Sequence, residues 1–407
     1  MRKDIMTLGH GEAPTALAAA PHGLGAWLIR RALSCIESGR LSIVTPDGAR
    51  HDHAAARPGG VATLVIHDWR ALRRLARSGD IGFAEGYIAG DWSSPDVVAL
   101  ITLVAENVAH LQRVMDGWAP VRLASRLKHL ARRNSASGSR RNIAFHYDLG
   151  NDFYRHWLDA SMTYSSALRV RPGQTLEAAQ AEKLARITAL LAPGPQDRVL
   201  EIGCGWGALA AHLAGHAASV TGVTLSREQL DWGRRSVADL GDRVDLRLQD
   251  YRAVTETYDR IVSIEMIEAV GERYWPVYFD KLRACLAPGG RAVLQVITIR
   301  EDRFDGYRSG SDFIQRYIFP GGMLLTTQAI AREAGRAGLR LADAETFGIG
   351  YAETLAEWRR RFDAAWPDIA RLGFDDRFRR LWDYYLCYCE AGFRAGTIDV
   401  GLYVLEA

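Results

Sequence analysis

A glycine-rich segment near the middle of the chain has the residue types and spacing of a ligand-binding turn. Gly203, Gly205 and Gly207 follow the strand-like run 199–202 and precede a helical pattern. Glycines at such a turn permit unusual backbone dihedrals and let a ligand approach the main chain closely. The G-x-G-x-G spacing differs from the G-x-G-x-x-G of dinucleotide sites. The segment therefore predicts a bound cofactor, with a ligand-free glycine turn as the simpler alternative.

The residues around this turn distinguish between cofactors. A NAD site needs an acidic residue at the end of the second strand, about 20 residues further on, but the chain has Thr224-Leu225-Ser226 there. An acid, Glu201, instead stands just before the glycines, and Asp250-Tyr251 follows the third predicted strand. This pattern resembles the class I methyltransferases, which bind S-adenosylmethionine, with Asp250 and Tyr251 on the adenine side.

The elements that must position this turn alternate along the chain. The predicted strands are Arg198–Cys204, Ser219–Leu225, Arg243–Gln249, Tyr258–Met266, Gly290–Thr298 and Thr397–Leu405. The predicted helices are Leu176–Leu191, Leu209–Gly215, Arg227–Leu240, Tyr274–Leu286 and an aromatic-rich pair within Glu353–Arg394. Such alternation predicts an α/β fold with a doubly wound, mostly parallel sheet. We expect a class I methyltransferase (Rossmann-like) domain over residues 143–407.

A smaller α+β domain is predicted before it, over residues 1–119. Leu41–Thr45 and Val61–Ile66 have the pattern of the two strands of a hairpin. Helices are predicted over Trp69–Ser78 and Pro95–Met115, and Gly79–Tyr87 has the pattern of a tight turn that leads into a helix. Nothing in this part has the composition of a catalytic centre, so we interpret it as a lipid- or partner-associated domain.

The overall composition excludes several classes of protein. The 407 residues suffice for two or three domains of about 100–200 residues each, and 48% hydrophobic with 24% charged residues excludes a disordered or collagen-like chain. No apolar run approaches the roughly 18–20 residues of a membrane-spanning helix, and no secretory signal is recognisable. Cys204, Cys387 and Cys389 are interpreted as packing residues, because no partner residues for a nucleophile or a metal site accompany them. We therefore expect a soluble protein of a reducing compartment, without a metal site.

Further segments resemble the cyclopropane-fatty-acyl-phospholipid synthase family over nearly the whole chain. They are FHYDLGNDFY at 145–154, MTYSSA at 162–167, LEAAQ at 176–180, the glycine turn at 201–207, TLSREQ at 224–229, LQDYR at 248–252, SIEMIE at 263–268, RYIFPGG at 316–322, YAETL at 351–355 and, in the first domain, 79–92. By this resemblance the cofactor-binding residues are Tyr164, Ser165, Glu201, Gly203, Cys204, Gly205, Gly207, Thr224, Leu225, Ser226, Gln229, Asp250 and Tyr251.

The resemblance implies methyl transfer from S-adenosylmethionine to the cis double bond of a phospholipid acyl chain, which forms a cyclopropane ring. The family uses a bound bicarbonate as the base that removes a proton from the new methyl group. Matched residue by residue, the bicarbonate ligands and catalytic residues here are Ser166, Glu268, Gln295, Ile297 (through its backbone) and Tyr351. Ser166 and Gln295 stand where well-known members have Cys and His, and Ala269 replaces a further His. A methylene- or methyl-branched product and a non-catalytic lipid-binding protein on the same fold are the alternatives.

Between the two predicted domains, residues 120–142 carry seven cations and no acidic residue. The apolar residues at 121, 123, 127 and 130 recur at near-helical spacing, which predicts a basic amphipathic helix, and residues 134–139 read as a flexible linker. A solvated helix is the simpler interpretation. Contact with anionic lipid headgroups is the alternative, and it predicts a cytoplasmic protein that is peripheral at the inner membrane surface. A homodimer is left open by the sequence. Nucleic acid is not expected, because no aromatic residues interleave with the basic ones.

Replacing Arg126, Lys128, Arg132 and Arg133 by Gln tests the lipid interpretation. Each cation near an anionic surface adds about 1 kcal/mol to the free energy of membrane binding. The affinity of the fourfold variant for anionic vesicles should therefore be lower by about 10²-fold or more. Sedimentation with anionic and neutral vesicles at two salt concentrations measures this, and the wild-type association should fall with added salt. Equal pelleting of the wild type with both vesicle types would contradict the prediction.

Overall fold

The structure is a computed structural model that describes residues 24–108 and 149–407. The predicted basic segment at 120–142, residues 109–115 of one predicted helix and residues 145–148 of the family-like segment lie outside these ranges. The described chain contains a four-stranded and a seven-stranded sheet. Within the described ranges no helix combines the length and apolar character needed to cross a membrane.

The first domain is built on the four-stranded sheet, in the order β2-β1-β3-β4. Its elements are α1 (Leu24–Leu33), β1 (Ser38–Val44), β2 (Arg50–Ala54), β3 (Arg57–Ile66), α2 (Arg70–Ile88), β4 (Trp92–Ser93) and α3 (Val97–Glu106). A turn at Gly79, with φ of 59°, divides α2 into two helical parts. This confirms the predicted helix up to Ser78 and the predicted turn after it.

The predicted hairpin in this domain is wrong. Strands β1 and β3 contain the two apolar runs, and they pair in parallel, with Ile43 opposite Leu64. The hairpin partner of β1 is β2, with Ser42 opposite Asp52. Strand β2 is polar, with exposed residues alternating with half-buried ones, so it lacks the apolar alternation by which a strand is recognised. Because β2 returns the chain to its starting end, the next strand runs parallel to β1.

The second domain contains the seven-stranded sheet and the helices that cover it. Its strands are β5 (Arg198–Ile202), β6 (Ser219–Thr224), β7 (Val244–Leu248), β8 (Tyr258–Ile264), β9 (Leu286–Ile299), β10 (Arg340–Thr346) and β11 (Ile398–Glu406). Its helices are α4 (Asn151–Tyr154), α5 (Leu176–Leu191), α6 (Ala208–Leu213), α7 (Arg227–Ser236), α8 (Trp275–Cys285), α9 (Glu301–Ser309), α10 (Phe313–Tyr317), α11 (Thr327–Arg336), α12 (Gly348–Arg371) and α13 (Asp376–Arg394).

The strand order β10-β11-β9-β8-β5-β6-β7 confirms the predicted doubly wound sheet. Strands β5 to β9 are parallel, and β11 is antiparallel to both of its neighbours. The chain builds outward from β5 through β6 to β7, then returns to the other side of β5 with β8. In open α/β sheets, ligands bind at the carboxyl ends of the strands where the winding reverses. Here that point lies between β5 and β8.

The two domains pack through the aromatic helix α13, which contacts both α2 and α3. Tyr87 Oη donates to Asp383 Oδ2 (2.5 Å), and Tyr317 Oη donates to Glu85 Oε1 (2.5 Å). Each bond joins a residue of α2 to a residue of the second domain. The first domain is therefore attached to the sheet domain through directed hydrogen bonds as well as apolar packing.

Gly350 fixes the position of α12 and offers a test of the fold. A Cβ atom at Gly350 would lie 1.8 Å from Leu168 O, so Gly350→Ala must push α12 away from the segment that contains Ser166. Such overpacking typically costs about 1–3 kcal/mol. Gly335→Ala in α11 is the matched control, because its Cβ would meet nothing within 4 Å, and it should gain about 0.5–1 kcal/mol. Urea unfolding measures both, and equal stability of the two variants would contradict this packing.

Candidate active site

The glycine turn after β5 has the geometry of a cofactor cradle. The backbone has positive φ at three glycines of this turn, with 85° at Gly203, 52° at Gly205 and 88° at Gly207. Residues with a side chain rarely adopt such values. The N–H groups of Gly203 and Cys204 donate to Val223 O at 2.9 and 3.1 Å, which ties the turn to β6. A Cβ at Gly205 would meet nothing within 4 Å, so the turn leaves open space there. That space can receive a ligand against the bare backbone.

Glu201 places a buried carboxyl group at the base of this turn. The residue is buried, and its Oε2 has no hydrogen-bond partner in the described chain. Burial raises the pKa of Glu201 to about 8, although the nearby Lys183 lowers it. Lys183 is itself buried and donates to Ser165 Oγ (2.6 Å). An unpaired carboxyl oxygen in the interior is suited to the positively charged amino group of S-adenosylmethionine.

A large cavity of about 1490 Å³ runs from the glycine turn to the first domain. Among the predicted cofactor residues, those that line it are Tyr164, Ser165, Glu201, Gly203, Cys204, Gly205, Thr224, Leu225, Gln229 and Tyr251. Apolar residues of the first domain line its other part: Leu41, Ile43, Leu64, Phe83, Leu100 and Val104. The first domain therefore contributes an apolar wall to the cavity.

Three of the predicted cofactor residues, Gly207, Ser226 and Asp250, lie outside the cavity lining. Gly207 and Ser226 are the N-terminal caps of α6 and α7, and the Ser226 hydroxyl accepts from Gln229 N–H (3.3 Å). The Asp250 carboxylate accepts two hydrogen bonds from the Arg252 side chain, at 2.8 and 2.6 Å, and one from its backbone N–H at 3.0 Å. In this arrangement these three residues support the loops around the cavity.

The five predicted catalytic residues cluster at the carboxyl ends of β8 and β9, around two carboxyl groups. Strand β8 ends at Ile264, two residues earlier than predicted, and Glu268 follows in a 3-10 turn, Ile267–Ala269. The backbone N–H of Ile297 donates to Glu268 Oε1 (2.6 Å), and Glu268 Oε2 has no partner in the described chain. Glu268, Ile297 and Tyr351 line the cavity, whereas Ser166 and Gln295 lie behind it.

The residue that the sequence analysis missed is Glu265, directly after β8. Its Oε1 accepts hydrogen bonds from Ser166 N–H (2.9 Å) and Gln295 Nε2 (2.7 Å), and its Oε2 accepts from Tyr351 Oη (2.6 Å). Glu265 has φ of 48°, which is unusual for a residue other than glycine. It is half-buried and lines the cavity. The sequence did contain a signal, because Glu265 is an acid in the same family-like segment as Glu268.

These contacts decide whether a bicarbonate fits among its predicted ligands. Ser166 N–H, Gln295 Nε2 and Tyr351 Oη all donate to Glu265, and Ile297 N–H donates to Glu268. The Ser166 hydroxyl donates to Ala167 O (2.6 Å). The donors of the predicted set are thus engaged with protein acceptors, and the anion among them is a side-chain carboxylate. The residues present do not fit a bound bicarbonate.

The two carboxyl groups influence each other's ionisation. Burial, then the neighbouring charge of Glu265, raises the pKa of Glu268 to about 8. Burial also raises the pKa of Glu265, against the opposing effects of its three hydrogen-bond donors and Lys183. All three hydrogen-bond partners of Glu265 are donors, which favours its ionised form, and the negative charge of Glu265 in turn favours the protonated form of Glu268.

Comparison with known proteins identifies the family. The family model of the mycolic acid cyclopropane synthetases matches residues 134–402. Tuberculostearic acid methyltransferase UfaA1 of Mycobacterium tuberculosis is 42% identical over 396 residues, which are 94% of this chain and 91% of that protein. The cyclopropane-fatty-acyl-phospholipid synthase of Escherichia coli K12 is 35% identical over 334 residues, 81% of this chain and 84% of that protein.

A solved structure agrees with the sequence relatives. Mycolic acid cyclopropane synthase CmaA1, complexed with SAH and CTAB, has a TM-score of 0.61 and 28% identity and covers 66% of this chain and 98% of its own. The predicted fold, the family resemblance and the use of S-adenosylmethionine are thereby confirmed. The chain belongs to the mycolic acid cyclopropane synthetase family of lipid-modifying enzymes, and it is an S-adenosylmethionine-dependent methyltransferase.

Proposed function

We propose that the enzyme adds a methylene group to the cis double bond of an unsaturated phospholipid acyl chain and forms a cyclopropane ring. The observation that carries this proposal is the apolar cavity, which joins the cofactor turn to the first domain and has a carboxylate at the reacting end. Its volume of about 1490 Å³ exceeds that of most small-molecule sites, about 300–1,000 Å³. A long apolar substrate explains both the volume and the lining. The name of the Escherichia coli relative supports a phospholipid substrate.

The cavity can promote the first step by positioning and by excluding water. When bound, S-adenosylmethionine supplies an electrophilic methyl group. An alkene is a weak nucleophile, so the double bond must be held in line with that methyl group in a site without competing water. The aromatic side chains of Tyr164, Tyr385 and Phe393 line the cavity, and their ring faces can stabilise the carbocation that methyl transfer leaves on the acyl chain. Loss of a proton from the new methyl group then closes the ring.

A methylene- or methyl-branched product is the second candidate, and two observations favour it. The relative with 42% identity is a tuberculostearic acid methyltransferase. Ser166, Gln295 and Ala269 also depart from the residues of well-known ring-forming members. The methyl transfer is the same, but a hydride first moves from the methylated carbon to the cationic carbon. Loss of a methyl proton then gives a methylene branch, and reduction of that alkene by a hydride donor plus a proton gives a methyl branch.

The basic segment at 120–142 also supports a proposal about where in the cell the enzyme acts. Its seven cations can hold the enzyme at an anionic membrane surface, where phospholipid substrates are present. We propose a peripheral enzyme on the cytoplasmic side.

Gly205→Val tests the cofactor site, and the same binding measurement on the wild type tests the alternative of a non-catalytic protein on this fold. A β-branched side chain at φ of 52° is strained and fills the open space of the turn, so S-adenosylmethionine affinity should fall by about 10²-fold or more. Calorimetric titration measures the affinity, and Gly335→Val, outside the cavity lining, is the control that should bind normally. Unchanged binding by Gly205→Val, or no binding by the wild type, would refute the assignment of the cofactor site to this turn.

Mass spectrometry of lipids tests the product. A bacterial host that makes unsaturated phospholipids should, on expressing the wild-type enzyme, gain acyl chains heavier by one CH₂ group. A host with Gly205→Val should show little or none of this gain. Fragmentation distinguishes a ring from a branch at the former double bond. Unchanged acyl chains with a soluble, cofactor-binding wild type would refute the proposed function.

A further inference from the structure

We propose that the Glu265 carboxylate, in place of a bound bicarbonate, is the base that takes the proton from the newly added methyl group. The inference rests on the proposed function, and it gives a catalytic role to a residue outside the set that the family resemblance implied. Its foundation is the position of the carboxylate at the cavity wall, among donors that would otherwise bind an external anion.

The hydrogen bonds of Glu265 leave one acceptor position open. A carboxylate has about four lone-pair sites. Two sites on Oε1 accept from Ser166 N–H and Gln295 Nε2, and one site on Oε2 accepts from Tyr351 Oη. The remaining site is on Oε2, and because Glu265 lines the cavity, this site is the one left to accept a proton from a substrate there. Gln295, Ser166 and Tyr351 are all buried, so they hold the carboxylate in one orientation.

The backbone of Glu265 supports a functional role. A residue other than glycine at φ of 48° costs of order 1–3 kcal/mol, and such strain persists where the surrounding structure imposes it. The Glu265 N–H donates to Gln295 O (2.8 Å), so both the backbone and the side chain are attached to β9. Glycine would adopt this conformation without strain. The presence of a glutamate at this strained position is therefore explained by the role of its carboxylate.

The proposed step balances without an added reactant. A C–H bond of the new methyl group breaks, and its electron pair forms the bond to the cationic carbon of the acyl chain. The proton passes to Glu265 Oε2, and the resulting acid returns it to solvent after the product leaves. The raised pKa of Glu265 suits a group that must accept a proton. Glu268, whose pKa lies at about 8, remains protonated near neutral pH and does not compete for this role.

Two substitutions at Glu265 test the proposal with bicarbonate as the probe. Glu265→Gln keeps the volume of the side chain, whereas Glu265→Gly relieves the backbone strain and opens a space beside the same three donors. Both variants should bind S-adenosylmethionine normally and lose about 10²–10⁴-fold in turnover, the usual contribution of a positioned base. In carbon-dioxide-depleted buffer the wild-type rate should stay unchanged when bicarbonate is added. Bicarbonate should raise the rate of Glu265→Gly by about tenfold or more, because a bound bicarbonate can restore part of the contribution of a positioned base. It should leave the rate of Glu265→Gln unchanged.

A binding measurement separates this test from activity. Calorimetric titration with bicarbonate should give no binding to the wild type and measurable binding to Glu265→Gly. A wild type that loses activity without bicarbonate, or a Glu265→Gln variant with a near-wild-type rate, would overturn the role of Glu265. Either result leaves the proposed function intact, since the wild type still forms product when bicarbonate is present. A wild type that forms no product under any condition would instead refute the proposed function.

Discussion

The carboxylate of Glu265 is the point at which the reacting end of this enzyme is assembled. It accepts hydrogen bonds from Ser166 in the segment before α5, from Gln295 on β9 and from Tyr351 on α12. These residues are far apart in the sequence, and their donors are buried. A buried donor without a partner costs about 1–3 kcal/mol. The carboxyl end of β9, the segment that contains Ser166 and the first turn of α12 are therefore held together by one carboxylate.

That anion acts in a cavity to which both domains contribute. The sheet domain supplies the cofactor turn, the carboxyl groups and the aromatic helix α13, while the first domain supplies aliphatic residues such as Leu64 and Leu100. Excluding water from such a space strengthens each electrostatic interaction inside it. A carbocation that forms there is exposed to one carboxylate and to aromatic faces instead of to water. The attachment of α2 to α13 through Tyr87 and Asp383 thus serves the chemistry, because it keeps the apolar wall in place.

The sequence predicted those features that rest on apolar periodicity or on glycine. The central strands β5, β6, β8 and β9 were found because they are buried on both faces. Strand β10 was missed because it is a largely exposed edge strand with the polar sequence RLADAET. The predicted hairpin failed because β2 has no apolar residue pattern. The sequence could not show that Gln295 and Tyr351 donate to Glu265 and not to a bound bicarbonate. The acceptor of each donor is set by side-chain packing, which residue spacing does not encode.

A base that is part of the chain also constrains the product differently from a bound anion. A bicarbonate can shift within its site to meet the substrate, whereas Glu265 is held by three donors and by its attachment to β9. Both the ring and the methylene branch require loss of a proton from the same methyl group, so the base alone does not select between them. The choice between ring and branch then depends on how long the carbocation survives before the proton leaves. A short distance between the methyl group and Oε2 favours immediate ring closure, and a longer one allows the hydride shift that leads to a branch. The walls of the cavity, which set the depth of the acyl chain relative to this fixed carboxylate, therefore determine the product.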